Sequence, residues 1–479
     1  MKIRKLTTAA AMGSFTATVA LLAGLSSANA QGAPGGGSFP GSILIPGTNT
    51  SFKVGGYVKM DFMYDFSAQA NFANTAGIAL NPNGIPLDWG GVLSKNESAG
   101  HTIHGTSQMT ASESRFNIET RTPTSYGELK TLIEGDFVNP SLGDVNSNNV
   151  SLGASPAVLP GSTFKVESNS TAFRLRLAYG TLGPWLAGQY PSVFRDTAAE
   201  SEQLDFGGPM TVGTLRVPQF RYTFDFGNGL LLAVAAENPQ TSWIDSSGAT
   251  FGTAGALFTN WAMFQGDKIP DFTAALTYTQ PWGHVGLGAV IRDLYVHAGG
   301  FGSTGGPAPA SGAVACGRTP GNPLGVSTST TGWGLRLGAN YNTWGKDNLV
   351  GQFGGGQGDG RYQNAFGFIP DAILNCSNNH LTAVGSWGGM ISYQHWWTDT
   401  LRTNVNGSFN KQVNHLTGFS SSTVFDGQAQ QWYTVHVNLI WSPVPQMDAG
   451  VEYIHSNRKL QSGQSGDLNR MQVSTKFKF

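Results

Sequence analysis

FKVGGYVKMDFMYDF, residues 52–66, sorts its side chains by parity. Phe52, Val54, Gly56, Val58, Met60, Phe62, Tyr64 and Phe66 occupy the even positions, while Lys53, Lys59, Asp61 and Asp65 occupy odd ones. Successive side chains of a strand point to opposite faces, so one face is apolar and the other charged. A charged face cannot line the dry core of a small barrel. It fits a water-filled lumen, with the apolar face turned to lipid. The stretch predicts one stave of a transmembrane antiparallel β-barrel.

The pattern repeats along the chain. In 112–122, Arg115, Asn117, Glu119 and Arg121 alternate with Phe116 and Ile118. In 128–137, Glu128, Lys130, Glu134 and Asp136 oppose Leu129, Ile133 and Phe137. In 171–180, Arg174 and Arg176 oppose Phe173, Leu175, Leu177 and Tyr179; in 216–226, Gln219, Arg221, Thr223 and Asp225 oppose Phe220, Tyr222, Phe224 and Phe226. Further segments follow at 183–190, 229–237, 270–280, 283–296, 332–342, 347–358, 384–397, 399–410, 430–442, 446–457 and 468–479, giving about 16 strands, an even number as bacterial barrels require. Short turns rich in Pro, Gly, Asn and Asp alternate with long Gly/Ser/Thr/Asn-rich connections, predicting periplasmic turns and external loops.

Composition agrees. Charged residues make up 12% of the chain, about half the share of a globular domain, and Gly contributes 65 of 479 residues. An apolar outer band, aromatic girdles and many turns require such a mixture. No apolar run is long enough to span a membrane as a helix. The net charge of −1 gives no global field that would attract nucleic acid.

Lys2, Arg4 and Lys5, the apolar stretch from Ala9 to Leu25, and Ala28-Asn29-Ala30 read as a secretory signal peptide over 1–30, cleaved near Ala30. Residues 31–51 read as a flexible periplasmic lead-in, and 52–479 as the barrel. Export meets an oxidising compartment. Cys316 and Cys376 both fall in external loops, so a disulfide stapling the two is favoured over two unpaired thiols. No cofactor is called for and no metal site is expected: neither cysteine has a second ligand at metal spacing, and His101 and His104 have only Glu97 nearby. The last strand alternates Met471, Val473, Thr475, Phe477 and Phe479 with Gln472, Ser474, Lys476 and Lys478. Its terminal Phe479 resembles the signal that outer-membrane barrels present to the barrel-assembly machinery.

A barrel of this size leaves an aqueous channel, and its narrowest point sets what passes. The third long connection, 191–215, is the candidate constriction loop; it carries Arg195, Asp196, Glu200, Glu202 and Asp205. Arg115, Arg174, Arg176 and Arg221 are expected on the facing wall, where arginine favours anions and carboxylates. The competing reading has these arginines pair with Glu119, Glu134 and Asp136 on neighbouring strands, holding the wall together without selecting anything. Arg292, Arg336, Arg402, Glu237 and Glu452 are expected to be solvated wall.

GGYVKMDFMYDF (55–66), SRFNIETRTPTSYGELKTLIEGDF (114–137), FRLRLAYGTLGPWLAGQYPSVF (173–194), LDFGGP (204–209) and VPQFRYTFDFGNGLLLAVAAENP (217–239) resemble the DcaP-like trimeric outer-membrane porins. The resemblance is sharpest over 52–240 and looser over 384–479. It implies a sixteen-stranded homotrimer in outer-membrane lipid, passing small anionic solutes, dicarboxylates in particular. Arg115, Arg174, Arg176 and Arg221 fall within its motifs. Tyr190-Pro191 departs from the family's Thr-Trp pair, immediately before the candidate loop.

Two other classes compete with a passive channel in a Gram-negative outer membrane. A barrel hydrolase needs a nucleophile and base in hydrogen-bond reach. His436 and His455 could approach Ser408 or Ser456, although surface or girdle histidines are favoured, so no enzyme is expected. A closed structural barrel would show no conductance. An energy-coupled receptor is excluded because 31–51 is too short for a plug domain.

Overall fold

The computed structural model describes residues 36–70, 101–103, 105–140, 171–208, 215–245, 267–298, 326–363, 370–375, 378–413, 429–461, 463 and 465–479. The signal segment 1–30, Cys316 and Cys376 lie outside the described residues.

Sixteen strands form the wall: β1 (Ser51–Ala70), β2 (Arg115–Thr124), β3 (Gly127–Pro140), β4 (Thr171–Leu182), β5 (Trp185–Pro191), β6 (Arg216–Asp225), β7 (Leu230–Glu237), β8 (Asp271–Gln280), β9 (Gly283–Ala298), β10 (Val326–Asn342), β11 (Asn348–Gln357), β12 (Gly385–Trp396), β13 (Leu401–Gln412), β14 (Ala429–Val444), β15 (Met447–Leu460) and β16 (Ser465–Lys478). Each pairs antiparallel with the next. β1 pairs with β16 from Tyr57↔Lys478 to Ala68↔Leu468, which closes the barrel and removes every sheet edge from the wall. The terminal residue completes the seam: Phe479 N donates to Gly56 O at 3.1 Å, and Gly56 N donates to Phe479 O at 3.3 Å.

The parity of each strand decides its faces as the sequence predicts. On β1, Val54, Val58 and Met60 are exposed outward, whereas Lys59, Asp61 and Asp65 are buried inward. Exposed aromatics collect at the short-turn end: Tyr126, Trp185, Phe226, Trp282, Trp344, Trp397 and Phe477. This ring is the periplasmic girdle of a lipid-embedded barrel. The turn at Gly227-Asn228-Gly229 needs three successive positive φ angles (77°, 52° and 79°), which glycine and asparagine tolerate. No helix among the described residues is long and apolar enough to cross a membrane; strands do the crossing.

One face assignment differs from expectation. On β4 the register against β3 slips between Glu134 and Gly135, so Glu134 aligns with Leu177 while Asp136 aligns with Arg174. Arg176 is the extra residue of a β-bulge, which re-aims side chains. Tyr179 thereby moves to the face of Lys130 and Thr181, and its ring lies 4.6 Å from that of Tyr190.

Long connections add structure inside and above the wall. His101–Ile103 and Thr106–Thr110 extend the pairing of β1. Trp243–Asp245, Ala372–Asn375 and His380–Ala383 form a separate three-stranded sheet, whose Ala372, Leu374 and Leu381 pack on Leu294 and Val296 of β9. In the lead-in, residues 36–50 make a defined turn. Ile43–Leu44 pair with Ser51–Phe52, and Phe39 is buried with the Arg121 guanidinium 4.4 Å from its ring.

Candidate functional site: the lumen and its loop

After β5 the chain enters the lumen and runs as a belt along the inside of the wall. Ser192 Oγ and Val193 N donate to Glu237 at the end of β7, at 2.8 to 3.0 Å. Phe194 is buried against Tyr362 and Val290. Asp196 then accepts from Arg336 Nη1 on β10 at 2.7 Å and faces His284 Nε2 on β9 at 3.0 Å. A 3-10 turn, Thr197–Ala199, follows, capped by the Asp196 side chain, which accepts from Ala198 N. From β11, Gln352 Nε2 donates to the carbonyls of Asp196 and Ala199.

The belt continues in strand order. Glu202 accepts from Arg402 on β13 at 2.5 and 2.6 Å, and from Gln394 on β12 at 2.9 Å. Leu204 N and Asp205 N donate to Glu452 on β15, at 2.7 and 3.3 Å. The carbonyl of Leu204 accepts from Gln472 on β16 and Lys59 on β1. Finally Phe206 places its ring 5.2 Å from Arg174 and 5.8 Å from Arg176 on β4.

Burial explains why the acids of the loop need these partners. Burial alone would push the Asp196 carboxyl up, but the His284 hydrogen bond and the Arg336 charge outweigh it and hold it below the usual range. Arg336 and Arg292 are each 1% exposed at the side chain and Arg402 is 7% exposed. Glu237 and Glu452 are buried as well. Expected as solvated wall, these five residues are anchors instead: Arg336, Arg402, Glu237 and Glu452 hold the belt. Arg292 bonds Asp271 and Asp371 and so fixes the loop after β11. Parity marked them as lumen-facing, but no local pattern could show that the loop would cover them.

The predicted wall arginines sit elsewhere. Arg174 and Arg176 both bond Asp136 at 2.8 Å, and Arg176 and Arg115 reach Glu134 at 3.2 and 3.4 Å. The pairing with Glu134 and Asp136 is therefore present. It is incomplete as neutralisation, because Arg216 at the start of β6 lies within electrostatic reach of Arg115, Arg174, Arg176 and Arg195. Arg216 was not singled out from sequence; it stands one residue before the motif that drew attention to Arg221. Arg221 donates to Thr223 Oγ1 at 3.2 Å. Neither Arg216 nor Arg221 makes an ion pair among the described residues. Arg195 pairs within the loop to Glu200.

Asp205 was expected to face the pore. It is 3% exposed, turned into the wall beside His436. His436 is also not a surface or girdle histidine: it is fully buried beneath the belt, with Nδ1 2.9 Å from Glu452 Oε1. Ser408 Oγ bonds Thr434 Oγ1, and His455 bonds Asn469. Neither histidine engages a serine, so these pairs offer no nucleophile–base arrangement.

No curated protein matches the sequence. The outer membrane channel DcaP of Acinetobacter baumannii superposes with a TM-score of 0.62 at 18% identity, over 93% of this chain and 99% of that one. OmpT of Vibrio cholerae aligns at 9% identity over 90% and 98% of the two chains, with a TM-score of 0.46. The anion-selective porin of Comamonas acidovorans aligns at 11% identity over 90% and 100%, again with a TM-score of 0.46. The model of the porin subfamily Porin_2 matches residues 41–478. The chain belongs to that porin subfamily, and is an outer-membrane porin of Gram-negative type whose sixteen-stranded barrel has the DcaP-like fold.

Proposed function

We propose that this porin is a passive channel preferring small anions, with dicarboxylates as the natural class, and that its selective surface is the β2–β6 wall. One observation carries the reading: the charges left open to solute are unevenly shared. Arg174, Arg115 and Arg176 keep 28%, 19% and 11% side-chain exposure, whereas on the opposite wall Arg336 and Arg402 are paired with the belt's Asp196 and Glu202 and Arg292 is buried against Asp271 and Asp371. On the open side Arg115, Arg121, Lys130, Arg174, Arg176, Arg195, Arg216 and Arg221 face the carboxylates of Glu119, Glu128, Glu134, Asp136 and Glu200. The excess is cationic. Guanidinium pairs bind carboxylates through two parallel hydrogen bonds, and wall charges set ion preference.

In this reading the acidic residues of the belt do not oppose the arginines across the pore. Asp196 and Asp205 are buried against the wall and supply little transverse field, while Glu202, although 39% exposed, is neutralised by Arg402, which donates to both of its oxygens. The family resemblance supports a homotrimer, the N-terminal residues Lys2, Arg4, Lys5 and Ala28-Asn29-Ala30 support a cleaved signal peptide, and the alternating terminal strand supports recognition of Phe479 by the assembly machinery. The intended role is transport, without an enzymatic step. Liposome swelling tests the preference: succinate should enter several-fold faster than a neutral solute of equal size, and Arg174→Gln/Arg176→Gln should erase the difference. Equal rates in the wild type would refute it.

A further inference from the structure

Lumen-side carboxylates of this barrel generally meet an arginine, lysine or hydroxyl. Asp205 does not. Among the described residues no side chain donates to either of its carboxylate oxygens, the Gly207 amide alone lying near them, and Nε2 of His436 has no hydrogen-bond partner. These bare atoms share one small space. A Cβ built on Gly208 would stand 2.7 Å from His436 Nε2 and 2.8 Å from Asp205 Oδ2. On its other edge His436 is fixed by Glu452, which also accepts from Leu204 N, Asp205 N and Asn438 Nδ2. A buried histidine is thus flanked by two carboxylates, one on the wall and one on the loop.

We infer that Asp205, seated on His436 and Glu452, is a proton-operated latch that positions the 204–208 end of the belt, and with it Phe206 over Arg174 and Arg176. The inference rests on the channel reading and adds a control to it. Other charged groups near the latch are already engaged. On β16, Arg470 is bound by Asp65 of β1. On β1, Lys59 is bound by Glu113 and Asp61. On β4, Arg174 and Arg176 are bound by Asp136. None can follow Asp205 if the loop lifts.

Burial pushes the Asp205 carboxyl up to about 6; His436 opposes the rise, Glu452 adds to it, and Arg470 and the Gly207 amide oppose it. The docked loop therefore holds a proton that a solvated aspartate would release. Docking is strongest at acid pH and weakens as pH rises through about 6. Between pH 7.5 and pH 5, linkage from the ordinary value of 3.8 to about 6 favours docking by about tenfold.

Single-channel traces of the full chain in planar bilayers test this. The wild type should flicker at pH 7.5, and its closed-to-open dwell ratio should fall about tenfold at pH 5. Asp205→Asn, a neutral isostere, should be as quiet at both pH values as the wild type is at pH 5. Gly208→Ala, which wedges the two bare groups apart, should flicker at both. A wild-type trace unchanged between the two pH values overturns the latch, as does an Asp205→Asn channel that keeps the pH response. Open-state conductance is read from the same traces, so a failed latch is distinct from a failed channel.

Discussion

Replacing Asp196 with alanine would leave the Arg336 guanidinium buried with its acid partner gone. Breaking a buried pair in this way costs about 3–5 kcal/mol, and here that cost falls on docking the start of the belt. The expected result is a folded barrel with a noisy pore, seen as frequent current interruptions against wild-type thermal migration on a gel. The pH dependence has the opposite sign to that of Asp205. Asp196 is held below its ordinary value, so its anchoring is complete at neutral pH and is lost only as pH falls below about 4. Quiet channels from Asp196→Ala would show that the turn is held without it, by Gln352 and by Asn340, whose Nδ2 donates to the Ala198 carbonyl at 3.0 Å. The sequence did place Asp196 and its neighbours in an inward loop. It could not distinguish an acid facing the pore from one facing the wall, because that depends on Arg336 and His284, far away in the chain.

At the scale of elements, the belt and the seam make separate predictions. Removing residues 196–206 and closing the gap with a short Gly/Ser linker should raise conductance severalfold, since the belt occupies lumen along β7 to β16. An unchanged conductance would mean that the narrowest point lies elsewhere, such as beneath the three-stranded sheet on β9. Deleting Phe479 should cut the yield of assembled barrel, because its backbone closes β16 onto β1 at Gly56; heat-modifiable migration of membrane fractions reads this directly. Strand positions were legible because parity and turn residues are local signals. The β4 bulge was not: Leu177 and Tyr179 look like a continuing apolar face, and only pairing with β3 shows the slip at Glu134. The sheet built from Trp243–Asp245 and the 372–383 hairpin was also hidden, because its parallel pairing joins two loops distant in sequence.

For the whole molecule, the alternation that opens at residue 52 determines a water-filled barrel, and the even strand count lets β16 run antiparallel to β1 and close it. Which charges the water meets is a different question. The chain is close to neutral, at −1, so under the proposed function selectivity would arise from how the belt divides the charges: Asp196 and Glu202 pair with Arg336 and Arg402 on one wall, and the arginines on β2–β6 stay open. Preference should weaken in concentrated salt, where screening shortens the reach of exposed charges to a few ångström. The most direct test is the reversal potential of the wild-type channel under a tenfold KCl gradient at neutral pH. The account predicts a potential of the sign that marks chloride as the more permeant ion. A potential of the opposite sign, marking potassium, would contradict it and return control of the pore to Glu200 and Glu202.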